Sequence, residues 1–403
     1  MTSRFIQIHT LTSYPGVLLN RDDAGFAKRL PFGGATRTRV SSQCLKRHWR
    51  RHEGEHSLVE LGEPQSIRSR RTFEHHVLKP MLADGYPSAL TTRIVEELLA
   101  EVVGKADAKS DADGAVRTSQ VTVLGQPEVR FLHETARKIA DGLRATVSGD
   151  GEKLSKDEDK AVKEALKAHL DKEFRANLRG LRLAAGLDAA MFGRMVTSDV
   201  LARGDAAIHV AHAFTVHGEE SESDYFSAVD DLMSDEGELG AGHINSNELT
   251  SGLFYSYVVV DVPLLVSNIE GVDQAGWTEA DRGVAGRVVE NLIHLIATVS
   301  PGAKLGSTAP YAYAQSMLVE SGSSQPRTLA NAFQKPIRGR DVLGATYDAL
   351  AGHLGDLDGM YGRTTARKLA ALGPKEQLTN RLDLQAEPLN ALAAWARSQV
   401  EGA

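Results

Sequence analysis

Apolar and polar residues along the chain outline a mixed set of elements. Phe5-Ile-Gln-Ile-His-Thr-Leu11 is rich in β-branched and aromatic residues and predicts a buried strand. Pro15-Gly16 marks a turn, and Leu19-Asn-Arg-Asp-Asp23 reads as a polar loop. Past Gly33-Gly34, Thr36-Arg-Thr-Arg-Val40 alternates with a period of two, which puts Arg37 and Arg39 on one face. Ser41 or Ser42 then predicts the N-cap of a helix from about Gln43 to about His52. Its Leu45 and Trp49, four apart, face the core.

Residues 60–185 differ in character. Lys105–Gly114 and Ser148–Lys153 are polar and loop-like, with helical patterns between and after them. Leu166, Leu170, Phe174, Leu178 and Leu181 trace the apolar stripe of one long amphipathic helix. Strand character returns at Asp205–His217, where Ile208, Val210, Phe214 and Val216 share parity. An acidic stretch, Gly218–Leu249, separates that strand from another at Gly252–Asp261, and a connection of this length points to function. A helix follows near Asp281–Val299, and the chain reads as helical from about Val342. Strands interrupted by a helical insertion place the chain in the α+β class.

Charge sharpens this picture. The first 51 residues hold ten Lys and Arg against Asp22 and Asp23, a net of +8. The remainder holds 36 basic and 51 acidic residues, a net of −15. An acidic protein has therefore gathered its positive charge at one end, a footprint of local polyanion binding. At 403 residues, two or three lobes are expected. Cys44 is the only cysteine, which excludes an internal disulfide and a Cys-rich zinc site and fits a reducing compartment. Arg4, Gln7 and His9 interrupt any signal-like apolar run, and Asp261 and Pro263 break Tyr257–Val266. A cytoplasmic protein with no membrane partner is expected.

The predicted helix carries Lys46 with Arg50, and Arg47 with Arg51, at four-residue spacing. Like charges so placed repel unless an anion offsets them. Together with Arg21, Lys28, Arg29, Arg37 and Arg39, the glycine pair and a capped helix N-terminus, they suit a phosphodiester backbone. Neither a phosphate-binding G-x-x-x-x-G-K-[ST] loop nor a dinucleotide fingerprint is present. His209 and His217 alternate to the face opposite His212, so these read as sheet histidines. Asp22-Asp23 and Asp230-Asp231 are adjacent carboxylates that point apart, which favours structural acids over a magnesium site. No metal, cofactor or catalytic residue is expected.

Several blocks resemble the CasC family, the backbone subunit of the type I-E CRISPR surveillance complex, Cascade. They include Leu19-Asn-Arg-Asp-Asp23, Phe32-Gly-Gly34, Arg39-Val-Ser-Ser-Gln-Cys-Leu-Lys-Arg47 and Gly193-Arg-Met195. Ile208–Ala213, Phe226–Leu232, Ser251–Tyr255, Pro301-Gly-Ala-Lys304 and Ala330-Asn-Ala-Phe333 follow in family order, to about residue 335.

The resemblance implies a right-hand shape: an RNA-recognition-motif-like (ferredoxin-like) palm, an inserted helical finger domain and a β-hairpin thumb. The palm would comprise residues 1–58, 186–217 and 250–340, the fingers 59–185, the thumb 218–249, and a C-terminal helical segment 341–403. It implies a non-catalytic subunit that polymerises, six copies in the family norm, along the spacer of a guide RNA (crRNA). The guide would pair with target DNA beside other Cascade subunits, with a nuclease-helicase recruited indirectly. By this resemblance Ser41, Gln43, Lys46 and Arg50 grip the guide backbone, with Arg21, Lys28, Arg37, Arg39 and Arg47 completing the basic strip. Met195 wedges beside bases, and Phe226, Ser227 and Ile244 of the thumb displace a base at intervals. Asn245 stands where the family has glycine. Two alternatives stay open: a backbone subunit that cleaves bound RNA through Asp230 and Asp231, and a single-copy RNA-binding regulator.

Overall fold

The computed structural model describes residues 3–110, 116–147, 153–195, 200–202, 204–229 and 241–402. The chain forms two compact units, Met1–Leu58 with Ile208–Val262 and Arg282–Ala403, and Val59–Ala207 with Pro263–Asp281.

The first unit opens with β1 (Phe5–Val17), β2 (Arg29–Phe32), β3 (Ala35–Val40) and α1 (Ser42–Arg51). β1 outruns its predicted end. Pro15-Gly16 does not turn the chain but produces a shift of register within the strand, between Tyr14 and Val17. The Gly33-Gly34 pair is the two-residue turn of the β2–β3 hairpin, both with φ near +60 to +80° (61° and 76°). A side chain at Gly33 would also run into the backbone of Gln334, with its Cβ 1.5 Å from the carbonyl oxygen. The pair therefore serves the turn and a close backbone approach.

The second unit contributes β4 (Ser66–Ser69), α2 (Lys79–Ala83), α3 (Ser88–Val103), β5 (Ala108–Ser110), β6 (Val116–Thr118), β7 (Thr122–Gly125), α4 (Gln126–Leu143), α5 (Lys156–His169), α6 (Lys172–Arg179) and α7 (Leu187–Phe192). Its core joins Leu90, Ile94 and Leu98 of α3, Leu132 and Ile139 of α4, and Val162 and Leu166 of α5. The single long helix expected over 166–181 is two: α5 ends at His169 with Leu170 as its C-cap, and Asp171 caps α6 by accepting the N–H of Phe174 at 2.9 Å. The apolar stripe survives because both helices bury it. The unit also extends beyond residue 185. Arg182 pairs with Glu63 and Glu270, and Asn268 donates to the carbonyls of Ala190 and Asp205.

The chain then adds β8 (Ile208–Val210), β9 (Ala213–Thr215), β10 (Glu220–Val229) and β11 (Ala241–Asp261), followed by α8 (Val262–Glu270), α9 (Gly283–Thr298), β12 (Ala314–Gly322), α10 (Val342–Tyr361), β13 (Ala366–Ala371), α11 (Glu376–Leu382) and α12 (Leu389–Glu401). Asp205–His217 is thus two short strands rather than one. The acidic stretch Gly218–Leu249 supplies both arms of a β10–β11 hairpin. β13 lies inside a segment expected to be wholly helical; it is an edge strand, pairing only with β12 in the sheet ladder.

Among the described residues, nine strands make one antiparallel sheet in the order β13-β12-β1-β11-β9-β3-β2, with β8 and β10 also pairing with β11. Strand alternation feeds both faces. Thr10 and Tyr14 of β1 face Trp49 of α1 and Ile296 of α9. Leu11, Tyr255 and Leu318 pack against Tyr347, Leu350 and Leu354 of α10 and Leu378 and Leu382 of α11. Among the described residues no helix is long and apolar enough to cross a membrane.

Candidate nucleic-acid interface

Ser41 starts α1. Its Oγ accepts the N–H of Cys44 at 3.3 Å, and His212 Nδ1 accepts that of Ser42 at 3.1 Å. Burial, then the nearby Arg39 and Lys28, lower the pKa of His212, so its ring is neutral and free to accept. Ser41 itself is buried, and its N–H donates to Asn20 Oδ1 at 2.9 Å. The Ser41 hydroxyl oxygen therefore caps α1. Beyond the cap, the charge of α1 is carried by its side chains.

Those side chains form three stripes at four-residue spacing. Leu45 and Trp49 are buried, Lys46 and Arg50 are half-buried, and Gln43, Arg47 and Arg51 are exposed. α1 contains no acidic residue. Arg50 and Arg51 lie in its last turn, where cations favour the helix dipole; Lys46 and Arg47 lie too far from the end for that explanation. Cys44, in the first turn of α1, is inert: burial pushes its thiol up to about 11, despite Arg47 and Lys28.

Arg37 is corrected. It is 0 % exposed, and its guanidinium donates to the carbonyls of Phe32 (3.2 Å), Thr215 (2.9 Å), His217 (3.2 Å) and Phe333 (2.9 Å). It is a clamp across the sheet, not part of the basic strip, because carbonyls from β9, the segment after it and Phe333 enclose its guanidinium. Arg37→Gln is expected to destabilise the protein by at least about 2 kcal/mol, through carbonyls left without donors. Its RNA affinity would keep the wild-type salt dependence. Lost affinity with an unchanged urea midpoint would return Arg37 to the interface.

Arg39 is half-buried and donates through Nε to the carbonyl of Arg29 at 3.1 Å. With Lys28, Arg29, Asp22, Asp23 and Ala27 it lines an open polar cleft. Arg29 is neutralised by Glu219 and Glu248. Asp22 is a structural acid: its Oδ1 accepts the N–H groups of Ala24 (3.0 Å) and Phe26 (2.9 Å). That turn holds Phe26 half exposed between Arg21, itself exposed, and Lys28.

The Pro301–Lys304 block docks onto this end of the sheet. Gly302 N–H donates to His48 Nε2 at 3.3 Å, so His48 carries its proton on Nδ1 and donates it to the Cys44 carbonyl at 2.8 Å. Ala303 N–H donates to the Leu18 carbonyl at 3.0 Å, and Lys304 Nζ to Asn247 of β11.

Met195 belongs to the second unit. It is fully exposed, beside an anchored neighbour: the Arg194 guanidinium is buried on the Glu128 carboxylate, with contacts of 2.6 and 2.9 Å. The backbone of Phe226, Ser227 and Ile244 lies in the β10–β11 ladder, where Ser227 pairs with Ile244 and Phe226 with Asn245. Their side chains, and Asp230 and Asp231 altogether, lie outside the described residues. Among the described residues no group of three or more His, Cys, Asp or Glu is placed to hold a metal. His217 is buried, with Nε2 accepting the N–H of Leu253 at 3.2 Å, whereas His209 is exposed.

An extended antiparallel sheet bearing an acid-free cationic helix is the layout of a nucleic-acid-binding protein of the α+β class. Residues 6–395 match the CT1975-like protein family, and the chain belongs to that family. Among solved structures, it is similar to a chain of a "CRISPR RNA-guided surveillance complex, pre-nicking", with 26% identity and a TM-score of 0.76 over 97% of this chain and 100% of that one. A chain of another "CRISPR RNA-guided surveillance complex" has 22% identity and a TM-score of 0.66, over 97% and 99%. No curated protein matches.

Proposed function

We propose that this protein is the guide-RNA-binding backbone subunit of a Cascade-type CRISPR surveillance complex, of type I-E, and that it is not itself catalytic. The observation that carries the reading is α1. Its cations at positions 46, 47, 50 and 51 sit on a capped, sheet-anchored helix with no acid of its own, in a chain of net charge −7. Family membership and full-length similarity to surveillance-complex chains support it.

In this reading the first unit's sheet is the RNA-recognition-motif-like palm, and the β10–β11 hairpin is the thumb. Lys46, Arg47, Arg50, Gln43, Arg21, Lys28 and Arg39 hold phosphates. Met195, and Phe226, Ser227 and Ile244 of the thumb, part the bases. Cations and apolar wedges of this kind are blind to base identity, as a subunit must be when pairing between guide and target reads sequence. Six copies in a row coat the spacer, present it to target DNA and meet the remaining Cascade subunits, which recruit the nuclease-helicase.

The test is the nucleic acid that co-purifies from the host. A uniform small RNA with repeat-derived ends, on particles holding several copies of the chain, is expected. A monomer or dimer on heterogeneous RNA would replace this reading with that of a regulator. Regularly spaced cuts in complementary RNA with magnesium would refute the absence of catalysis.

A further inference from the structure

Tyr311 and Tyr313 are among the most exposed large side chains described, at 78 % and 69 %, yet the backbone between them is fixed. The Ser300 hydroxyl donates to the Ala312 carbonyl at 3.0 Å and accepts the Ala312 N–H at 3.0 Å. Tyr14 OH donates to the same Oγ at 3.3 Å. Tyr311 N–H is held by the carbonyl of Ala309 at 2.7 Å. Tyr311 and Tyr313 are exposed on either side of the half-buried Ala312, in the segment that leads into β12. Two residues of extended chain span about 6.5 Å. That is about twice the ~3.4 Å rise of stacked bases, so a base fits beside or between the rings.

The surroundings favour nucleic acid. Residues 291–319 contain no Asp or Glu, in a chain that has 53, and they include Lys304. The loop leading to the tyrosines is joined to the cationic helix by Gly302–His48. It is joined to the end of β1 through Ala303–Leu18 and Leu18–Thr308, and Asn20, two residues on, holds the start of α1. Backbone strain marks the same loop: Lys304 and Ala309 both hold positive φ, 48° and 47°, without being glycine.

We propose that Tyr311 and Tyr313 form a stacking platform for unpaired bases of the RNA whose phosphates α1 grips. This rests on the RNA-binding reading above and adds to it a base contact in the first unit outside the hairpin. Exposed rings on a fixed backbone suit it, because stacking is sequence-tolerant and loses little on ordering.

The test uses the full-length chain and single-stranded RNA carrying 5-iodouracil or 2-aminopurine. Wild type and the Tyr311→Phe/Tyr313→Phe variant are expected to photocrosslink at these positions and to quench 2-aminopurine. Tyr311→Leu/Tyr313→Leu is expected to lose both signals and to bind RNA at least about fivefold more weakly at every salt concentration, with an unchanged salt slope. If wild type binds RNA and Lys46→Gln weakens that binding, while the leucine variant binds and quenches like wild type, the platform alone is overturned. If wild type fails to bind RNA, both readings fall. If the leucine variant abolishes self-association without RNA and leaves RNA affinity intact, the rings are a contact between copies and the proposal is wrong.

Discussion

Replacing Lys46, Arg47, Arg50 and Arg51 together with glutamine is expected to lower the slope of log affinity against log salt by about 2 units for single-stranded RNA, through the phosphate contacts of Lys46, Arg47 and Arg50. This follows from about 0.7 unit for each phosphate no longer neutralised. The fold should tolerate the change. Leu45 and Trp49, which anchor α1, are untouched, and the Ser41 cap remains. Two like-charge pairs disappear, which favours the helix, while two last-turn cations are removed, which disfavours it; each effect is a few tenths of a kcal/mol. Anisotropy titrations across a salt series, with a thermal melt as control, separate the outcomes. A full salt slope in the variant would mean that these charges serve solubility or a protein neighbour.

The second large effect lies across the sheet. Glu320 of β12 is fully buried and takes both Nη groups of Arg327 (2.6 and 3.0 Å), Nε of Arg367 (2.6 Å), the Thr365 hydroxyl (2.9 Å) and His9 Nε2 (3.2 Å). Burial alone would push its carboxyl up, but hydrogen bonds from His9 and Arg327 hold it well below the usual carboxylate range. Burial lowers the pKa of His9, which is therefore neutral, donating through Nε2 and accepting from Tyr255 OH at Nδ1 (2.9 Å). Tyr255 OH in turn accepts the N–H of Leu329 at 3.0 Å. Glu320→Gln keeps the shape but removes the counter-charge of two guanidiniums, and Arg367 keeps only Asp358 as an acidic partner among the described residues. A loss of about 3–5 kcal/mol is expected by chemical denaturation, a large part of an ordinary domain's stability.

The same network sets an acid limit. Protonation of His9 is resisted in the folded protein but not in the unfolded chain, so stability falls as pH drops below about 6.5. Glu320 adds a second loss as pH drops below about 4.3, where the unfolded chain takes up a proton that the folded one refuses. His9→Gln should lessen the first decline, to which His133, His212, His294 and His353, also lowered by burial, contribute, and leave the second. An unchanged profile between pH 7 and 5 would place the acid sensitivity elsewhere.

Local patterns carried much of this. The β-branched run at Phe5–Leu11, the Ser41 cap and the Leu45–Trp49 stripe each act within a few residues, and each stands in the structure as the sequence predicts. Signals that depend on distant partners did not survive alone. Pro15-Gly16 looks like a turn until β11 pairs on both sides of it, up to Tyr14 and again at Val17, and reduces it to an irregularity within one strand. Leu166–Leu181 looks like one helix because two helices burying one face share its periodicity. Tyr311 and Tyr313 carry no spacing signal, and what makes them prominent is a serine eleven residues upstream of Tyr311.

What the sequence determined by itself was a strand-rich chain with a helical insertion and a cationic helix near its start, because periodicity, capping and charge are properties of neighbours along the chain. Which cations face outward was decided only by the tertiary structure. Arg37 and Arg39 share strand parity, yet one is enclosed by carbonyls from β9, the segment after it and Phe333, while the other borders an open cleft. Burial is a property of what lies opposite a residue, and for Arg37 that is chain 178 to 296 positions away.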